Sequence, residues 1–98
     1  MMVIEKVNIN KIENSLKRIV EESSRLKVLQ QELDNTNKNL KEVNFNLLSG
    51  KVSNEVYQTS KKSLENKRKI LIDNVNKNIN NILSIVKDLS EVINENKI

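Results

Sequence analysis

Apolar residues in the first half of the chain keep a strict period. Ile12, Ile19, Leu26, Leu33, Leu40 and Leu47 recur every seven residues. From Leu26 a second track joins through Leu29, Thr36 and Val43, so the combined steps alternate three and four. That alternation predicts a helix with a narrow apolar seam, supercoiling against a partner helix. Before Leu26 the companions move by one position to Ile9 and Leu16, with Val20 beside them, and the stripe widens. Asp34, Asn35, Thr36 and Asn37 are weak helix formers. The leucines on either side of them stay in phase, and an inserted loop would reset that phase, so one continuous helix is expected.

The second half repeats the alternation through Ile72, Val75, Ile79, Ile82, Val86, Leu89 and Ile93. Upstream, Tyr57, Lys61, Leu64, Arg68, Leu71 and Val75 form a track offset by one position. The two tracks predict a phase shift near Leu71 and Ile72, where the supercoil would change locally.

Between the halves lies LLSGKVSNEVY, Leu47 to Tyr57, which holds the only glycine of the chain. Gly50 suits the position just past a helix end, where a left-handed backbone penalises any Cβ. Ser53 suits the cap of the next helix, with Glu55 facing the positive end of its dipole. Val52 and Tyr57 stand at the spacing of a hydrophobic staple. The glycine therefore marks a tight reversal. The predicted fold is all-α: one domain, residues 1–98, built as a long antiparallel two-helix hairpin of coiled-coil type. Helix one covers about 10–49, the turn 50–52 and helix two about 53–95. Asn10-Lys11-Ile12-Glu13 reads as a capping box at the start. Val3, Ile4 and Val7 either extend that helix or pack as a short arm.

Two helices sharing one seam have too small an interior to offset the ordering of the chain, about 1.5 kcal/mol per residue. The apolar stripes are also broadest toward the two termini. A partner is expected there, formed against Ile12, Leu16, Ile19, Ile79, Ile82, Ile85, Val86, Leu89, Val92 and Ile93. A second copy would give a four-helix bundle; a different helical protein would satisfy the same surface. Folding the chain at Gly50 brings Asp34 level with Arg68 and Glu42 level with Lys61, and ion pairs setting the register are expected at both.

Composition removes most chemistry. The chain has no Cys and no His, so disulfides and the usual transition-metal ligands are absent. No base, nucleophile or Gly-rich phosphate loop is recognisable, so no catalytic, cofactor or metal residue is assigned and no enzyme is expected. No apolar run approaches the ~20 residues of a membrane span, and no signal-peptide core is visible, which points to the cytoplasm. The net charge is +4. Lys61, Lys62, Lys67, Arg68 and Lys69 form one basic cluster, of which Lys62, Lys67 and Lys69 are candidate phosphate contacts. No aromatic side chain interleaves them to stack on bases.

The turn segment, with its apolar pair, glycine, branched apolar residue, cap and later aromatic, resembles the helical hairpins of the ESCRT-I core subunits (the Mod(r) and steadiness-box hairpins). It is similar also to the short prokaryotic SHOCT domain. The likeness covers these eleven residues, with Tyr57 where those families carry Phe. The resemblance implies an assembly module without catalytic residues. The reading is a non-enzymatic scaffold or adaptor acting through helix–helix contacts. Its alternatives are a basic helical protein that binds nucleic acid or an acidic membrane surface, and a holdase-like chaperone.

Overall fold

A computed structural model describes residues 8–95. It is a helical hairpin: α1 runs from Ile9 to Leu48 and α2 from Asn54 to Glu95. The expected roles of Val3, Ile4 and Val7 lie outside the described residues. The chain divides into two compact units. The turn unit is Lys27–Asn76, and the terminal unit pairs Met1–Leu26 with Lys77–Ile98.

In the turn unit, α1 ends as its sequence dictates. Gly50 adopts φ +72°, the only positive φ among the described residues. Its N–H donates to Leu47 O at 3.0 Å, and Lys51 N donates to Asn46 O at 2.9 Å. Those two bonds satisfy carbonyls that the helix end would leave bare, in the Schellman pattern. Ser53 caps α2, its Oγ accepting from Val56 N at 3.2 Å. Val52 and Tyr57 are both half-buried, at the staple positions. Tyr57 reaches across to α1, where its hydroxyl donates to Asn44 Oδ1 at 2.9 Å. A Cβ built on Gly50 would meet nothing within 4 Å, so a side chain there is penalised by the backbone alone. Gly50→Ala is therefore expected to lose about 1 kcal/mol in urea unfolding, and Gly50→Asn less, because Asn tolerates the left-handed region.

α1 passes through Asp34, Asn35, Thr36 and Asn37 without a break. Thr36 is buried, and its Oγ1 donates to Glu32 O at 2.9 Å, so the hydroxyl is satisfied inside its own helix. Gln30 Nε2 donates to Asp34 Oδ1 at 2.9 Å, bridging one turn.

In the terminal unit the first turn of α1 is capped by Asn8, whose Oδ1 accepts from Lys11 N at 3.2 Å. The cap is thus Asn8 and not Asn10. A helix that starts at Ile9 leaves Asn10 inside its first turn, where it has no free helix end to serve. The seam of this unit consists of Ile12, Ser15, Ile19, Glu22 and Leu26 on α1, with Asn78, Ile82, Ile85, Leu89 and Val92 on α2. Ile85 is its most enclosed apolar residue, 2% exposed.

This corrects two expectations. On α1 the protected positions keep the strict phase and take in Ser15 and Glu22, leaving Ile9, Leu16 and Val20 exposed. On α2 there is no phase shift at Leu71 and Ile72. Protection continues through Leu71, Val75, Asn78, Ile82, Ile85, Leu89 and Val92. Val75, Ile82 and Leu89 belong to both possible tracks, so only the alternate positions were in play. Keeping the phase avoids a local change of supercoil. The consequence is a buried Asn78 in place of Ile79.

Candidate assembly surface

Heptad positions explain where each predicted residue falls. On α1, Ile12, Ile19 and Leu26 take position a, with Ser15 and Glu22 at d. On α2, Val75, Ile82 and Leu89 take a, with Asn78, Ile85 and Val92 at d. Ile9 and Leu16 then sit at e of α1, and Ile79, Val86 and Ile93 at e of α2. Because the helices run in opposite directions, equivalent flanking positions fall on the same side of the seam. The e residues of both helices therefore share one flank. Val20 and Leu83, both at b, widen it and are 64% and 60% exposed. Ile79, Val86, Ile93, Leu16 and Ile9 are exposed as well.

The opposite flank of the terminal unit is different in kind. A shallow groove there is lined by Lys11 and Arg18 from α1 and by Asp88, Glu91 and Glu95 from α2. Charges of opposite sign thus face each other across one side of the seam, and bare aliphatic side chains occupy the other. An apolar set at a, d and e is the pattern of a bundle helix, which meets more than one neighbour; a hairpin alone needs only a and d.

Of the ten residues expected at an oligomer interface, four lie on the open flank: Leu16, Ile79, Val86 and Ile93. The other six, Ile12, Ile19, Ile82, Ile85, Leu89 and Val92, are in the intrachain seam and are at least half-buried there. They cover the second helix of the same chain, because a and d positions are consumed by the hairpin itself. Val20 and Leu83 belong to the open flank although they were not among the ten.

The seam also holds a polar layer that the apolar tracks do not reveal. Asn78, 2% exposed, donates through Nδ2 to Glu22 Oε2 at 2.7 Å and to Glu22 O at 3.1 Å. Arg25 Nη1 donates to the other carboxylate oxygen, Glu22 Oε1, at 3.0 Å. Asn78 Oδ1 is buried without a hydrogen-bond partner. The period running from Tyr57 through Leu71 was the signal that placed Asn78 inside.

The two register ion pairs are not formed. Arg68 Nε donates to Asn37 Oδ1 at 3.0 Å. Lys61 Nζ lies 3.9 Å from Glu65 Oε1 on its own helix and 5.6 Å from the centre of the Tyr57 ring. The physical reason is azimuthal. Asp34 and Glu42 lie level with their expected partners but at positions b and c, which turn away from the seam. Register in the turn unit is carried instead by Tyr57 with Asn44 and Arg68 with Asn37, neutral acceptors at position e.

The basic cluster is dispersed. Lys62, Lys67 and Lys69 are exposed, but Lys67 lies about 150° round the helix from Lys62 and Lys69. Arg68 and Lys61 are engaged as described. No helix among the described residues is long and apolar enough to cross a membrane.

Fold and surface together define a two-helix hairpin with one charged and one apolar flank in its terminal unit. No protein-family model matches the chain, and neither does any curated protein or solved structure.

Proposed function

We propose that this protein is a non-enzymatic assembly module, a scaffold or adaptor that works through helix–helix contacts made by the apolar flank of its terminal unit. One observation carries the reading. Leu16, Val20, Ile79, Leu83, Val86 and Ile93 are exposed on the same side of a hairpin whose own seam is already filled. Exposed apolar area in a contiguous set marks an interaction site, whereas scattered apolar residues do not. The site's work is done by burial, at about 25 cal/mol per Å² removed from water, and needs no reacting group.

The test separates flank from seam. Ile79→Asp combined with Val86→Asp is expected to keep the helical circular dichroism of the parent chain, since both side chains already face water. It is expected to abolish association, and with it any binding of a hydrophobic-surface dye by the unassociated chain. Unchanged association and unchanged dye binding would exclude this flank as the working surface.

A further inference from the structure

We infer that the occupant of the apolar flank is a second copy of this chain, packed flank to flank with each helix antiparallel to its own counterpart. The inference rests on the assembly reading and names its partner.

Charge argues for self-pairing. The described residues of the terminal unit hold six basic and six acidic side chains, so their charges balance and offer no excess of positive charge to draw a polyanion or an anionic lipid surface. Its opposite charges already face each other on the far flank. What remains on the open flank is mainly aliphatic, with Glu13, Ser23 and Ser90 at its other e and b positions, and the surface that matches it in both polarity and charge is another such flank.

The order of residues then selects the orientation. Along α1, Glu13, Val20 and Lys27 recur at seven-residue spacing on one exposed stripe. If two copies of α1 cross antiparallel about Val20, Glu13 of each meets Lys27 of the other, twice by symmetry. If the copies ran parallel, the levels would match and each stripe would face α2 of the other chain. On α2 the same operation centres on Leu83. Antiparallel copies bring Leu83 onto Leu83 and Ile79 onto Val86, while on α1 Leu16 comes onto Ser23. The parallel arrangement sets Ile79 opposite Ser23 of the second copy, so Ser23 meets an aliphatic side chain in either order; the Glu13–Lys27 pairs form only in the antiparallel one. Both helices thus place the twofold axis at one level, near Val20 and Leu83. An isologous contact of this kind closes on itself and stops at two copies.

The experiment uses the full chain, which contains no native cysteine to confuse it. Glu13→Lys and Lys27→Glu are each expected to weaken dimerisation roughly tenfold by turning two attractive pairs into repulsive ones, and the double reversal to restore it. Leu83→Cys is expected to form a covalent dimer under mild oxidation. A dimer that shows neither rescue nor the Leu83→Cys crosslink overturns the antiparallel order and leaves the assembly reading standing. A monomer that binds hydrophobic dye, and loses it in the Ile79→Asp, Val86→Asp chain, overturns the second copy and assigns the flank to a different helix. A monomer that binds no dye overturns both.

Discussion

Replacing Ile85 with alanine is expected to destabilise the protein by about 3 kcal/mol in urea unfolding, the usual loss for a buried aliphatic side chain cut back to Cβ. The magnitude follows from position. Ile85 is 2% exposed, and among the described residues the other enclosed apolar side chain is Leu71, in the other unit. Most seam residues of a two-helix hairpin are only half-buried, so the few that are fully enclosed carry a disproportionate share. A domain of this size has a stability of about 5–10 kcal/mol, and the loss is a large fraction of it. The same change at Leu83, 60% exposed, is expected to leave the unfolding of the monomer within about 0.5 kcal/mol of the parent chain. Equal losses at the two positions would mean that the seam does not run through Ile85.

The second large effect has the opposite sign. Glu22→Leu together with Asn78→Leu is expected to stabilise the hairpin by about 2 kcal/mol. Replacing a buried polar group and its partner together by packed apolar side chains removes desolvation from both. It also removes the buried Asn78 Oδ1, which has no partner. Glu22→Leu alone is expected to destabilise, because Asn78 then keeps only the Glu22 backbone carbonyl as acceptor. The stabilised double variant should also lose uniqueness. With leucine at position 78, the tracks through Asn78, Ile85, Val92 and through Ile79, Val86, Ile93 become equally apolar, and nothing selects between them. A broader distribution of associated species, read by sedimentation velocity, is the expected sign. A stabilised variant that remains as homogeneous as the parent would show that the polar layer does not select the phase.

That choice of phase is where sequence and structure part. Periodicity predicted both helices, and the chemistry of Gly50 and Ser53 placed the turn, because each depends on local geometry that neighbouring residues impose. The continuity of α1 through Asp34 to Asn37 was also legible, since leucine phase on either side outweighs weak propensity at four positions. Azimuth was less legible. Asp34 and Glu42 were level with Arg68 and Lys61, but level alone does not make two side chains face each other. On α2, counting apolar residues favoured Ile79 over Asn78. A polar residue enters a seam when its partner across the hairpin can receive it, and the carboxylate of Glu22 is such a partner only once the helices are side by side. The same ambiguity extends to the apolar stripe near the termini, where Ile12, Ile19, Ile82, Ile85, Leu89 and Val92 pack in the intrachain seam while Val20 and Leu83 stand exposed beside Leu16, Ile79, Val86 and Ile93.

The central claim is that the apolar flank of the terminal unit is a contact surface. Sedimentation equilibrium on the parent chain and on the Ile79→Asp, Val86→Asp chain, across one concentration series, tests it most directly. The prediction is a two-chain mass for the parent and a one-chain mass for the variant, at equal helix content. Identical masses for the two chains would contradict it.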